Sequence, residues 1–374
     1  MASANYLPIE IDIALHPLLL HQIAQTPIMR EWHESPSGVA RMIIRATRVE
    51  GDARPRAARG RMMRVRSVTV EPVASRTVTA DRPIDLTCTV APLGRGSGDP
   101  CHRVTGDGAH WHASRLPTGP VTYRLTQSGP CAVQARAWGP GAAEFLDGLE
   151  HMLCLDEDVS AFLPDHPKLA DAHRRFPGLR MLRTGLVFEA LVPAVLEQKV
   201  HTVSARASWR KLVRRFGEPA PGPAPEGMLL PPDAETWRRI PSWVYHRANV
   251  GPQRAQTIVR AARIAESLER AARVDPAEAA RMLRSVPGIG VWTAAEIAQR
   301  AFGDADALSV GDYHLAAAVG WTLLGRPLDD EAMVEYLEPL RPHRYRAIRL
   351  LEISGQFHKP KFGPRTPLTD HSWH

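Results

Sequence analysis

The sequence predicts an α+β protein in which a small antiparallel sheet precedes an all-helical body. Three observations lead there. From about Ser67 to Trp138 apolar and polar residues alternate between Gly and Pro turns. After Gly139, Pro140 and Gly141 the apolar period becomes helical and stays so. The 374-residue chain has room for two or three domains.

The first segment, 1–66, has no consistent period. It ends in "GDARPRAARGRMMRVR" (51–66), so it reads as a basic, flexible extension. The compositional break also admits Met62 or Met63 as an alternative start. In 67–141 the strands are carried by "VTYRL" (121–125) and "AVQARAW" (132–138), with one helix expected beside them. In 142–374 the helical stretches include "AAEFLDGLEHMLCL", "LVFEALVPAVLEQKV", "ARASWRKLVRRFG" and "RAQTIVRAARIAESLERAA", interrupted by a Pro-rich loop at 217–232.

Lys and Arg outnumber Asp and Glu by 47 to 40, a formal charge of +7 that suits a polyanionic partner. The four cysteines, Cys88, Cys101, Cys131 and Cys154, form no Cys-x-x-Cys pair, which argues against zinc or iron–sulfur sites and fits a reduced cytoplasm. No apolar run reaches the roughly 18 residues of a membrane span, and Glu10 and Asp12 interrupt the early apolar stretch where a secretory signal would be continuous.

The chemistry concentrates in "SVPGIGVWTAAEIAQRAFGDADALSVGDYHL" (285–315). Gly288 and Gly290 form a tight turn between two helices, where a backbone without Cβ atoms can approach another surface. The first N–H groups of the second helix lack partners inside it and sit at its positive end, so they can donate to a phosphate. At about 100° per residue, Val291, Ala294, Ala295, Ala298, Ala301 and Phe302 share an apolar stripe, whereas Trp292, Glu296 and Gln299 lie together on the polar side. Trp292 either covers the edge of the core or lines a cleft. Asp312 precedes another helical pattern; it can cap that helix and also remain ionised in a partly desolvated pocket.

Taken in order, this turn, helix and aspartate resemble the helix-hairpin-helix plus Gly/Pro-Asp motif of base-excision DNA glycosylases. More narrowly, the chain from Ser67 onward looks like the AlkA-type 3-methyladenine DNA glycosylase II group, in which a small sheet domain precedes a helical core of two subdomains flanking a cleft. The resemblance implies a monofunctional enzyme that flips alkylated purines such as 3-methyladenine out of duplex DNA and excises them hydrolytically. It makes Asp312 the catalytic carboxylate, with Trp292, Tyr313, His343 and Trp209 around the base. It assigns Gly288, Gly290, Thr293, Gln198 and Lys199 to DNA contact. The backbone carbonyls of Arg284, Val286 and Gly288 would hold a Na+ or K+ ion, and catalysis itself would need no cofactor. In glycosylases that also cut the strand, a lysine occupies the position of Trp292 and forms a Schiff base.

Two positions depart from the family. Lys199, within "EQKV", stands where an apolar wedge would fill the duplex gap, and His343 stands where a second aromatic wall is expected. The Arg-rich stretches "SWRKLVRRFG" and "RPHRYRAIRL" could face DNA or simply be solvated. The alternatives are a non-catalytic helix-hairpin-helix DNA-binding protein and a bifunctional glycosylase/lyase. A monomer associated with DNA in the cytoplasm is expected, with no membrane partner.

Overall fold

In the computed structural model the described residues are 9–13, 33–34, 40–44 and 74–358. The chain divides into two units, Met1–Ser67 and Val68–His374. In the first, β1 (Ile9–Ile13) and β2 (His33–Glu34) each pair antiparallel with β3 (Ala40–Ile44). The sequence reading expected no sheet in this unit; its basic stretch, 51–66, lies outside the described residues.

The second unit begins with a five-stranded antiparallel sheet in the order β4-β8-β7-β6-β5. The strands are β4 (Ala74–Thr79), β5 (His102–Val104), β6 (His110–Leu116), β7 (Gly119–Gly129) and β8 (Ala132–Trp138). Their alternation puts Val121, Tyr123 and Leu125 of β7 beside Val133, Ala135 and Ala137 of β8 in one core. The helix α1 (Leu86–Val90), whose first turn is capped by Asp85 Oδ1 accepting from the Cys88 N–H at 2.8 Å, closes part of that core. Helices α2 (Ala142–Asp147) and α3 (Leu149–Met152) close the rest, with Phe145 stacked on Tyr123 at 4.0 Å.

The helical body follows with α4 (Pro167–Arg175), α5 (Val187–Leu196), α6 (Thr202–Phe216), α7 (Ala234–Arg239), α8 (Ser242–Arg247), α9 (Pro252–Arg263), α10 (Ala265–Glu269), α11 (Pro276–Arg284), α12 (Val291–Ala301), α13 (Leu315–Leu324), α14 (Asp330–Leu337) and α15 (Arg344–Ile353). It has two cores: α5 to α12 share one, while α4 packs with α13, α14 and α15 in the other. The central rod is α5. Its residues are apolar almost all round and nearly all buried, as expected of a helix enclosed by others. Its N-terminus is capped by Glu269, whose two carboxylate oxygens accept from the N–H groups of Val187 and Phe188, each at 2.8 Å. That rod delivers Gln198 and Lys199 to the glycine turn described below.

The Pro-rich segment is more than a loop. It contains a short hairpin, β9 (Glu218–Pro219) with β10 (Leu229–Leu230), and its Met228 and Leu230 pack on the stacked rings of Trp111 and Trp138 from the sheet. Arg115 Nε donates to the carbonyl of Pro231 at 2.7 Å, so the sheet and helical body are joined by side chains from distant parts of the chain. The four cysteines are free.

His102, His110 and His112 share one face of the β5–β6 pair, in register His102 with His112 and Val104 with His110. Burial pulls His102 down from the ordinary 6.5 to about 3, and His112 and His110 add to the effect. The unfolded chain therefore binds more protons than the folded one between those values, and stability falls as pH drops through that window. Urea midpoints measured from pH 7 to pH 4 should decline, and His102→Gln should flatten the decline.

Candidate active site

The site begins with a turn whose sequence alternates anchors and gaps. Between α11 and α12, Val286 and Ile289 are 2% and 5% exposed, whereas Arg284, Pro287, Gly288 and Gly290 face solvent. The two apolar residues pin the turn, and the glycine backbone is presented outward. Gly288 has φ +102, and a Cβ there would collide with Oγ1 of Thr257 on α9. A side chain is thus excluded twice, by backbone conformation and by space. Gly290 is the N-cap of α12 without a capping side chain, which leaves the first-turn N–H groups unserved at the helix's positive end.

Gln198 ties the end of α5 to this turn. Its Nε2 donates to the Gly288 carbonyl at 2.9 Å and to Thr293 Oγ1 at 2.8 Å. Thr293 is buried, so its hydroxyl positions Gln198 rather than meeting solvent. Next in the chain, Lys199 is exposed and left-handed, with φ +52. Of the carbonyls expected to hold a cation, that of Gly288 accepts from Gln198 and that of Val286 from the Ile289 N–H at 3.0 Å. Each keeps a second lone pair.

Asp312 lies just before α13 and performs both roles its position allows. Its Oδ1 accepts from the N–H groups of His314 at 2.8 Å and Leu315 at 3.0 Å, which serves the helix start. Its Oδ2 is 3.4 Å from the indole Nε1 of Trp292, and the residue also lines a cavity of about 330 Å³. The loop carrying Asp312 is braced from two sides. Gln299 Nε2 donates to the Ala307 carbonyl and Ser309 Oγ, each at 2.9 Å. Asp306 accepts from Arg344 Nε at 2.9 Å and Nη2 at 2.6 Å, and from Arg341 Nη1 at 3.0 Å.

The cavity wall contains residues that the sequence reading did not single out as a site. Glu296 accepts from Ser309 Oγ at 2.5 Å and from Arg300 Nη1 at 2.8 Å, and all three line the cavity with Gln299 and Arg95. Burial is the largest influence on the Arg300 guanidinium and works against it, but Glu296, Tyr345 and Glu197 together outweigh it and hold the group above its ordinary range. Burial, with Arg300 adding, lowers Arg95 to about 10. The only sequence signal for this wall was the four-residue spacing of Glu296 and Arg300 on one helix.

Three expected pocket walls stand elsewhere. Trp209 is buried, with its indole N–H bound to Asp99 Oδ1 at 3.0 Å and its ring stacked on Trp237. His343 is buried edge-on against Phe162, 5.3 Å between ring centroids, where burial lowers its pKa. Tyr313 is 91% exposed and, like the other two, does not line the cavity.

Two further readings need correction. Val291 is 46% exposed because it opens α12 beside the outward-facing turn, while Ile297 takes the core position. In the first basic stretch Lys211, Arg214 and Arg215 are exposed, as a solvated face would be, whereas in the second Arg344 and Arg346 are buried and occupied internally. Arg210 and Arg214 donate to the carbonyls of Ser97 and Gly98, at 3.3 and 3.4 Å. Arg344 pairs with Asp306, and Arg346 with Glu157.

No family model matches the chain. It is 30% identical over 259 residues to the "Probable bifunctional transcriptional activator/DNA repair enzyme AlkA" of Mycobacterium tuberculosis, a match covering 65% of this chain and 49% of the relative. The chain thus spans about half the length of the curated relatives it matches. Among solved structures, the 3-methyladenine DNA-glycosylase from Archaeoglobus fulgidus superposes with a TM-score of 0.61 at 19% identity, covering 74% of this chain and 96% of that one. The chain has the helix-hairpin-helix glycosylase fold. The same fold relates it to the 8-oxoguanine glycosylase/lyase of Clostridium acetobutylicum, with a TM-score of 0.58, 13% identity, and coverage of 76% and 98%. Within this fold Trp292 follows the glycine turn and lies 3.4 Å from Asp312, while Trp209, His343 and Tyr313 stand away from the cavity.

Gly288→Ala should lower stability by about 2 to 3 kcal/mol, combining positive-φ strain with the clash at Thr257. In a urea-denaturation cycle, Thr257→Ala should recover part of that loss when combined with Gly288→Ala.

Proposed function

We propose that the chain is a monofunctional DNA glycosylase that hydrolytically removes a damaged purine from duplex DNA. The observation that carries this reading is the Asp312 carboxylate at a cavity wall, fixed by two backbone N–H groups and adjoining Trp292 at the start of the helix after the glycine turn. Alkylated purines such as 3-methyladenine are the substrates that the resemblance implies.

The chemistry follows from the groups present. A base must leave the stack before it can reach a pocket, at a cost of about a few kcal/mol that is smallest for damaged pairs. The outward backbone of Gly288 and Gly290 and the unserved amides of α12 suit a phosphate near the flipped nucleotide. Lys199, exposed beside that turn, suits a second phosphate or the gap in the stack. A monovalent cation on the carbonyls of Arg284, Val286 and Gly288 would supply a bridging charge there.

Breaking the glycosidic bond builds positive character on the sugar, which a held carboxylate stabilises while it orients or deprotonates water. Asp312 is suited to this because its Oδ1 is already held by the helix start, so little reorganisation accompanies the reaction. Trp292 in the turn supplies no Schiff-base amine, and no lysine lines the cavity among the described residues. This supports hydrolysis without strand cutting.

With duplexes carrying single lesions, wild-type protein should release a base under single-turnover conditions. Asp312→Asn should reduce that rate by about a thousandfold or more, the scale expected for removing charge stabilisation at the reacting centre, with duplex affinity nearly unchanged. A non-catalytic DNA-binding protein would release nothing. Borohydride should trap no protein–DNA adduct; trapping that disappears in Lys199→Ala would replace hydrolysis with lyase chemistry.

A further inference from the structure

The arginine-rich end of α6 takes no part in the cavity, yet it meets a second cationic element. Lys211, Arg214 and Arg215 occupy exposed positions of α6, and Trp243 and Arg247 exposed positions of α8, where the indole is 51% exposed. The Arg215 guanidinium lies 5.6 Å from the Trp243 ring centre, and that of Arg247 lies 5.1 Å from the same ring. Among the described residues no carboxylate pairs with Lys211, Arg215 or Arg247. The nearest acids along the chain, Glu218 and Glu235, are matched to Arg115 and to Arg238 and Arg239. Exposure alone fits a solvated face; a half-exposed indole that gathers two like charges onto one ring calls for a further reason.

Resting on the reading of duplex DNA as the substrate, we infer that Arg215 and Arg247, gathered on Trp243, form a second DNA-backbone contact, remote from the cavity and indifferent to the lesion. The first residue of α6, Thr202, lines the cavity, and a rise of 1.5 Å per residue sets Arg215 about 20 Å beyond it, or about six base-pair steps. A guanidinium over a ring face keeps its N–H edge available, and that edge matches two phosphate oxygens at once. Trp243 also restricts two long side chains before DNA arrives, so less rotamer freedom is lost on binding. Phosphate contacts of this kind position a protein without reading sequence and are weakened by salt. The patch therefore holds intact duplex as well as damaged, which suits a protein that must pass over many sound pairs to meet one lesion.

The test measures affinity for an undamaged duplex of about 30 base pairs across a series of salt concentrations. With Arg215→Gln and Arg247→Gln combined, the slope of log affinity against log salt should fall by about two, and affinity at about 50 mM salt by about tenfold or more. Arg270→Gln with Arg273→Gln removes the same charge beside the end of α5 that points away from the glycine turn, and should leave the slope within about half a unit of wild type. Trp243→Leu keeps both charges, so affinity should fall by about threefold with the slope unchanged; full affinity in that variant overturns the part given to the ring. Every changed side chain is exposed, so thermal midpoints near the wild-type value report that each variant is folded. A slope unmoved by the first pair of substitutions, or moved equally by the charge-matched pair, overturns the inference. Base release by wild type is scored separately: no Asp312-dependent release from any lesion duplex, with the slope result intact, removes the glycosylase reading and keeps the second contact.

Discussion

The approach of Gly288 to Thr257 is the constraint on which the site depends. It lets the turn after α11 press against α9 with no side chain between them, and this fixes where α12 begins. Everything chemical is placed relative to that start: Trp292 in its first turn, Thr293 and through it Gln198 on one side, Glu296 and Arg300 one and two turns on. Val286 and Ile289 contribute the opposite force, since burying them holds the turn down while its glycines remain uncovered. The same few residues therefore combine a rigid seat with an open backbone.

A second level of order comes from buried ionic contacts. Asp306, held by Arg341 and Arg344, and Gln299, spanning Ala307 and Ser309, keep the loop before α13 in one conformation. Such groups are expensive to desolvate and strengthen a structure only when their hydrogen bonds are met. Here they are met by one another. That explains why arginines in a basic protein point inward: Arg344 and Arg346 are needed to satisfy carboxylates and carbonyls between α15 and its neighbours. Positive composition alone did not distinguish these arginines from phosphate ligands.

The sheet and the helical body were legible because their periods differ, and the strands at 121–125 and 132–138 lie within β7 and β8. The turn, Trp292 and Asp312 were legible because their spacing is local. What lay hidden was convergence between distant elements. Trp209 and His343 could be named from their chemistry, but only tertiary packing decides that one binds Asp99 and the other faces Phe162. Arg95 comes from the loop after α1, more than two hundred positions from Arg300, with which it shares the cavity; no period in either segment announces that meeting. The strands of the first unit were missed because their sequence has no sustained alternation beyond Ile9–Ile13.

The β9–β10 hairpin, which covers Trp111 and Trp138, also imposes an order on synthesis. Trp138 leaves the ribosome 92 positions before Leu230, the difference between their two numbers. At about 5 to 20 residues per second, the outer face of the sheet waits on the order of 5 to 20 seconds for its cover. During that interval a pair of stacked indoles is exposed on a nascent domain, open to chaperones or to another unfinished chain. The sheltering of the sheet's tryptophans therefore waits for α5, α6 and the hairpin after them, which links the fate of the sheet to the first helices of the body that follows it.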